Sequence, residues 1–180
     1  SKLCNFNLRS EFILKILVNT LEENNSQQII ILAHNKSLLL YFYKAIEHRN
    51  IASVGYYIGG MKEKDLKISE TKKVILATYA MAAEALDIKT LTTLIMATPK
   101  TDVTQSIGRI LRSKDNNPVV FDIIDKHDIF QNQWRKRKTF YKKENYKIIF
   151  TNDYDSDTWT ILNEPKDKSN KPTGKCLIKL

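Results

Sequence analysis

Short apolar runs recur along this chain, each separated from the next by a segment with helical spacing, and that alternation limits the folds available to it. The runs are QQIIILAHN, IASVGYYIGGM (broken by Gly59 and Gly60), KKVILAT, LTTLIMATP and NPVVFDIID. A continuous run of Ile, Val and Leu, too short for a helix, suits a strand buried on both faces. Between the runs, KSLLLYFYKAIEHRN, KEKDLKISE, YAMAAEAL and TDVTQSIGRILR carry apolar side chains at helical intervals, and LRSEFILKILVNTLEENN precedes the first run in the same manner. Strands alternating with helices predict an α/β domain, a parallel sheet of about five strands with helices on both faces. We place that domain at residues 1–150. The remainder, 151–180, changes character: Pro165, Pro172 and Gly174 punctuate it, and five acidic residues balance five lysines. It is expected to be a short C-terminal extension in which TWTIL and CLIKL could pair as strands.

After the last run comes a basic helix, FQNQWRKRKTFYKKENY, with Phe130, Trp134 and Tyr141 forming an apolar stripe. Between Gln131 and Lys147 stand seven basic residues and one acidic residue, so this stretch supplies +6 of the chain's net +9. Such a balance favours a polyanionic partner over an acidic small molecule. No apolar run approaches the roughly 18 residues of a membrane span, so no membrane is expected. Cys4 and Cys176 lie at opposite ends without metal-ligand spacing, which fits a reducing compartment, cytoplasmic or nuclear.

In parallel α/β sheets, ligands gather at the carboxyl ends of the strands. AHNKS, YIGGMK, ATYAMAAEALDI and ATPKTDVTQSIGR should arrive there. Asn35 or Ser37 can cap a helix, Gly59 and Gly60 permit close backbone approach, Lys62 adds a charge, Thr78 offers a hydroxyl and Asp87 can accept from a ribose. In QSIGRILR, Gln105, Arg109 and Arg112 fall at i, i+4 and i+7, stacking an amide and two guanidiniums on one helix face. Gly108 interrupts that helix at a cost of about 1 kcal/mol against alanine, so something other than local stability should explain it.

The pair ATYAMAAEALDI and QSIGRILR, about twenty residues apart, resembles motifs V and VI of superfamily 2 helicases. The likeness covers roughly residues 8–150, the second RecA-like lobe, and is greatest to helicases of large DNA viruses. The resemblance implies that Arg109 and Arg112 are arginine fingers to an ATP held mainly by the first lobe, and that Gln105 approaches its γ-phosphate. Gly108 would face the interlobe cleft, and Glu84 and Asp87 would sit near the nucleotide and its ribose. Thr78 and the turn at Gly59 and Gly60 would approach the nucleic-acid backbone, and Asn35 and Lys62 are counted beside them as candidate contacts. Ala85 stands where many relatives have glycine. No G-x-x-x-x-G-K-[ST] phosphate loop occurs, since none of the five glycines opens that spacing. The chain is therefore expected to be a fragment, preceded in the native protein by an N-terminal lobe that brings ATP and Mg²⁺, and inactive by itself. DNA is expected over RNA as the nucleic acid, with virion association if the source is viral. A duplex translocase that does not unwind, and a non-catalytic nucleic-acid-binding module of RecA-like shape, are the competing readings.

Plainer readings stand beside these. The double glycine could be a tight turn and Thr78 a strand terminus. Asp122, Asp125, His127 and Asp128 in FDIIDKHD could suggest a metal site, but a strand end followed by a helix cap is expected instead, with no resident metal. His34 and His48 are expected to be structural. The segment from Arg135 to Lys147, including Lys142 and Lys143, is either a nucleic-acid contact or a solvated helix face.

Overall fold

A computed structural model describes residues 2–85, 88–104, 107–108, 118–125, 127–156, 158–165 and 178–179, with side chains omitted at 2–7, 84–85 and 178–179. Helix α1 (Lys2–Glu23) leads into β1 (Ile29–Ala33), α2 (Lys36–His48), β2 (Val54–Tyr57), α3 (Glu63–Glu70), β3 (Val74–Thr78), α4 (Tyr79–Ala85) and β4 (Thr93–Met96). Then follow β5 (Val119–Ile124), α5 (Asp128–Lys143), β6 (Ile148–Phe150), β7 (Thr160–Asn163) and β8 (Ile178–Lys179). The main sheet has the order β2-β3-β1-β4-β5-β8, and every pair in it is parallel. Five of its strands match the five apolar runs; the sixth is a two-residue edge. Among the described residues, no helix is long and apolar enough to cross a membrane.

Burial explains why the central strands read as unbroken apolar runs. All five residues of β1 and all five of β3 are buried. Ile29, Ile31 and Ala33 face a layer made by α1 and α2, where Ile13, Leu17, Leu39, Phe42 and Ile46 pack. Ile30 and Leu32 face the opposite layer, built from Ala82, Ile107, Trp134 and Tyr141. A sheet covered on both sides needs apolar residues at every position, not at alternate ones.

Helix α5 departs from the expected stripe in one respect. Trp134 and Tyr141 are buried as expected, and Phe130 is half-buried, but Arg137 lies between them on the same face and is fully buried. Its Nε donates to Asp122 Oδ2 at 2.7 Å and its Nη2 to Asp122 Oδ1 at 2.8 Å, a bidentate pair inside the core. Tyr141 Oη donates to the same carboxylate at 3.2 Å. Burial pulls the Arg137 pKa down, yet the charge of Asp122 and its hydrogen bonds outweigh that and leave it raised. The strand-end and helix-cap reading of FDIIDKHD thus needs correcting at Asp122, which lies within β5 and serves as the counter-charge of Arg137. The N-cap position of α5 is His127, whose side chain makes no capping bond.

The extension does not pair as the sequence suggested. TWTIL, as β7, pairs antiparallel with β6, Phe150 opposite Thr160, whereas β8 of CLIKL adds to β5. The division after residue 150 thus falls between two paired strands. Tyr154 packs edge-on to Phe12 at 5.6 Å, and Asp155 pairs with Lys15, which fastens the extension to α1.

Two substitutions probe this architecture. Asp122→Ala leaves a guanidinium buried without its counter-charge and should cost about 3 to 5 kcal/mol in chemical denaturation. At Gly55 in β2, an added Cβ would lie 2.8 Å from Ser69 Oγ and 3.0 Å from the Ser69 Cα. A main-chain atom of α3 cannot yield cheaply, so Gly55→Ala should lower stability by about 1 to 3 kcal/mol.

Candidate functional site

The connectivity creates a crevice between β1 and β4. These strands are neighbours, yet the chain leaves β1 toward β2 on one side and leaves β4 toward β5 on the other. The two exits also take opposite faces: α2 packs with α1, while Val103 and Ile107, which follow β4, pack with α4 and α5. Divergent exits of this kind open a gap beyond the carboxyl ends of the strands, where ligands of α/β proteins settle.

Side chains from several elements meet at that gap. The His34 N–H donates to Thr98 Oγ1 at 3.1 Å, and His34 Nδ1 lies 2.7 Å from the same hydroxyl, so the β1 and β4 exits are tied across the crevice. The His34 ring rests against Tyr79 at 4.7 Å, and Tyr79 Oη donates to Thr98 O at 2.6 Å. Burial pushes the Tyr79 phenol far above its ordinary value, so it stays neutral. Burial also lowers the pKa of His34, and the charge of Lys100 lowers it further. On the β2 side, Lys36 Nζ donates to Gly59 O at 3.0 Å.

The segment after β4 is held from three directions. Arg9 of α1 donates through Nε to Ala97 O at 2.9 Å and through Nη1 to Asp125 at 2.7 Å. Tyr79 takes the Thr98 carbonyl, and Arg137 Nη1 takes the Lys100 carbonyl at 3.0 Å. Buried carbonyls outside regular structure need donors, and here two guanidiniums and a phenol supply them. The segment leads directly to Val103 and Ile107, whose N–H···O bond at 2.8 Å is helical in spacing.

The expected site residues divide into three groups. Asn35, Gly59, Gly60, Lys62 and Thr78 all lie at the carboxyl edge of the sheet, on the exits of β1, β2 and β3. Asn35 occupies the N-cap position of α2 without a side-chain capping bond. Gly60 has φ +91°, a left-handed conformation that accounts for glycine there by turn geometry alone. Thr78 is largely buried and its hydroxyl accepts the Met81 N–H at 3.4 Å, as a helix N-cap does. Lys142 and Lys143 stand apart: α5 runs 16 residues back from the carboxyl edge, so they sit roughly 24 Å down the helix. Gln105, Arg109, Arg112 and Asp87, and the side chain of Glu84, lie outside the described residues. Gly108 is exposed, and among the described residues beyond its own helix backbone and chain neighbours a Cβ built on it would meet no atom within 4 Å. Among the described residues, no three His, Cys, Asp or Glu side chains are grouped so as to hold a metal ion.

Arg9, Tyr79, Thr98, Lys100 and Arg137 were not singled out from the sequence. Arg137 left a readable trace, three residues after Trp134 and four before Tyr141 on the apolar stripe, paired with an Asp inside an apolar run. Thr98 and Lys100 left none, because their roles arise from carbonyls and rings brought in by other elements.

Comparison with known proteins places this architecture. A model of the helicase conserved C-terminal domain matches residues 10–114. Two viral relatives bear names beginning "Putative ATP-dependent RNA helicase". L396 of Acanthamoeba polyphaga mimivirus is 40% identical over 144 residues, 78% of this chain and 28% of that protein. QP509L of African swine fever virus is 30% identical over 136 residues, 70% of this chain and 27% of that protein. The chain thus spans little more than a quarter of the length of each of these two relatives. Among solved structures, the C-terminal part of the Fun30 ATPase domain superposes with a TM-score of 0.58 at 11% identity, covering 70% of this chain and 44% of that one. Domain 2 of the DEAD-box helicase Mss116p, solved on an RNA duplex, gives 0.51 at 14% identity, covering 64% and 49%. At such identities these likenesses speak for the fold, while the family match includes both stretches that resemble motifs V and VI. The chain belongs to the helicase conserved C-terminal domain family and has its RecA-like fold.

Proposed function

We propose that this lobe works as half of an ATP-driven motor on nucleic acid, supplying charge to an ATP bound on a companion lobe. The observation that carries the reading is the family match over residues 10–114, which takes in ATYAMAAEALDI and QSIGRILR in order. Arg109 and Arg112 act as the fingers, Gln105 approaches the γ-phosphate, and Glu84 and Asp87 serve the nucleotide and ribose. The exposure of Gly108 supports a surface that receives another body. Asn35, Gly59, Gly60 and Lys62 contact the strand backbone at the carboxyl edge, with Thr78 shaping that edge by capping α4. Mg²⁺ enters with the nucleotide from the companion lobe, and there it supplies counter-charge to the phosphates.

Phosphoryl transfer spreads negative charge over the departing group, and an arginine brought from outside stabilises it by a factor of about 10³ to 10⁵ in rate. Turnover then reports lobe closure. Closure while both lobes hold one strand, followed by opening after hydrolysis, shifts the strand between them. The names of the viral relatives favour RNA over the DNA expected from sequence. Lys142 and Lys143 form a separate backbone contact along α5, outside the crevice.

In the full-length protein, Arg109→Ala and Arg112→Ala should each lower nucleic-acid-stimulated ATP hydrolysis by a factor on the order of 10³ or more while ATP still binds. Parental turnover in both would refute the finger assignment. Lys142→Ala combined with Lys143→Ala should reduce the slope of log affinity against log salt by roughly 0.7 to 0.9 per lost phosphate contact. An unchanged slope returns these lysines to an ordinary solvated face.

A further inference from the structure

We infer that Lys100 is a phosphate-binding residue of the crevice between β1 and β4, held ready by Tyr79 beneath its ammonium and by Arg137 on its carbonyl. This rests on the motor reading above and adds a residue to it. Lys100 Nζ stands 5.0 Å from the centre of the Tyr79 ring. A ring face attracts a cation but does not neutralise it. Among the described residues, the five ion pairs of exposed or partly buried cations, at Arg9, Lys15, Arg49, Lys67 and Lys147, each use a carboxylate. Lys100 has neither an ion pair nor a side-chain hydrogen bond among the described residues. The nearby Asp102 instead accepts the Thr104 N–H at 3.0 Å.

The main chain of Lys100 is as constrained as its side chain. Its carbonyl is held by a guanidinium that is itself gripped at two points by Asp122. Two residues earlier, Thr98 is tied to both His34 and Tyr79. Much of the ordering cost of a lysine contact is thereby met before any ligand arrives. The surroundings suit an anion. Thr98 Oγ1 accepts the His34 N–H, so its own hydrogen can go to Nδ1, which leaves an Nε2–H donor on the exposed imidazole. Lys36 stands on the neighbouring exit of β1.

A phosphate is the ligand class that fits, and it has two sources: the polyphosphate of the nucleotide or the backbone of the bound strand. The full-length protein with Lys100→Ala and Lys100→Arg separates them. If the nucleotide is the source, Lys100→Ala raises the KM for ATP about tenfold and leaves oligonucleotide affinity, measured without nucleotide, at the parental value. If the strand is the source, Lys100→Ala weakens binding of a single-stranded RNA 20-mer and lowers its salt slope by roughly 0.7, with the KM for ATP unchanged. In either case Lys100→Arg, which keeps the charge, recovers most of the loss. Parental KM, affinity and salt slope in Lys100→Ala would overturn the inference. A parent protein that neither hydrolyses ATP nor binds the 20-mer would instead refute the motor reading, and this inference with it.

Discussion

A guanidinium sealed in the core organises the working edge of this lobe. Arg137 cannot leave its place without stranding a charge in an apolar interior, and Asp122 cannot leave without stranding Arg137. Buried pairs of this kind add little net stability compared with apolar packing, because desolvation offsets most of the attraction. Their effect is positional. The pair fixes one face of α5 against β5 and still has a donor left for the carbonyl of Lys100. Arg9 does the same from the other layer of the sheet, so the exit of β4 is located by charge from both sides. The stretch QSIGRILR follows that exit in the sequence.

The fold was legible because the parallel sheet imposes a pattern that a sequence must display. Ile29 to Ala33 and Val74 to Thr78 are buried at every position, and no half-exposed strand would tolerate such a run. Short pairings were harder to read. TWTIL and CLIKL found different partners because a few residues of moderate hydrophobicity do not define a register; the partner came from β6 in one case and from the edge of β5 in the other.

The placement of the candidate site was legible where strand order alone decides position, as with Asn35, Gly59 and Lys62, while Gln105, Arg109 and Arg112 lie outside the described residues. It was illegible where function depends on carbonyl groups. Nothing in the letters ATPK shows that three of those four residues offer main-chain oxygens to Arg9, Tyr79 and Arg137. The basic character of α5 was likewise visible, and the inward turn of one of its cations left only the trace of Arg137 on the stripe of Trp134 and Tyr141. The sequence could not show that the last two cations lie a helix length from the crevice.

Gly108 marks a conflict between durability and purpose. Among the described residues beyond its own helix, a methyl group there would touch nothing, and alanine would favour a helix by about 1 kcal/mol. An engineer optimising thermal tolerance alone would replace it first. On the motor reading proposed above, what such a change would put at risk belongs to a neighbour, through the thickness of one carbon atom at a face where the two lobes would come flush.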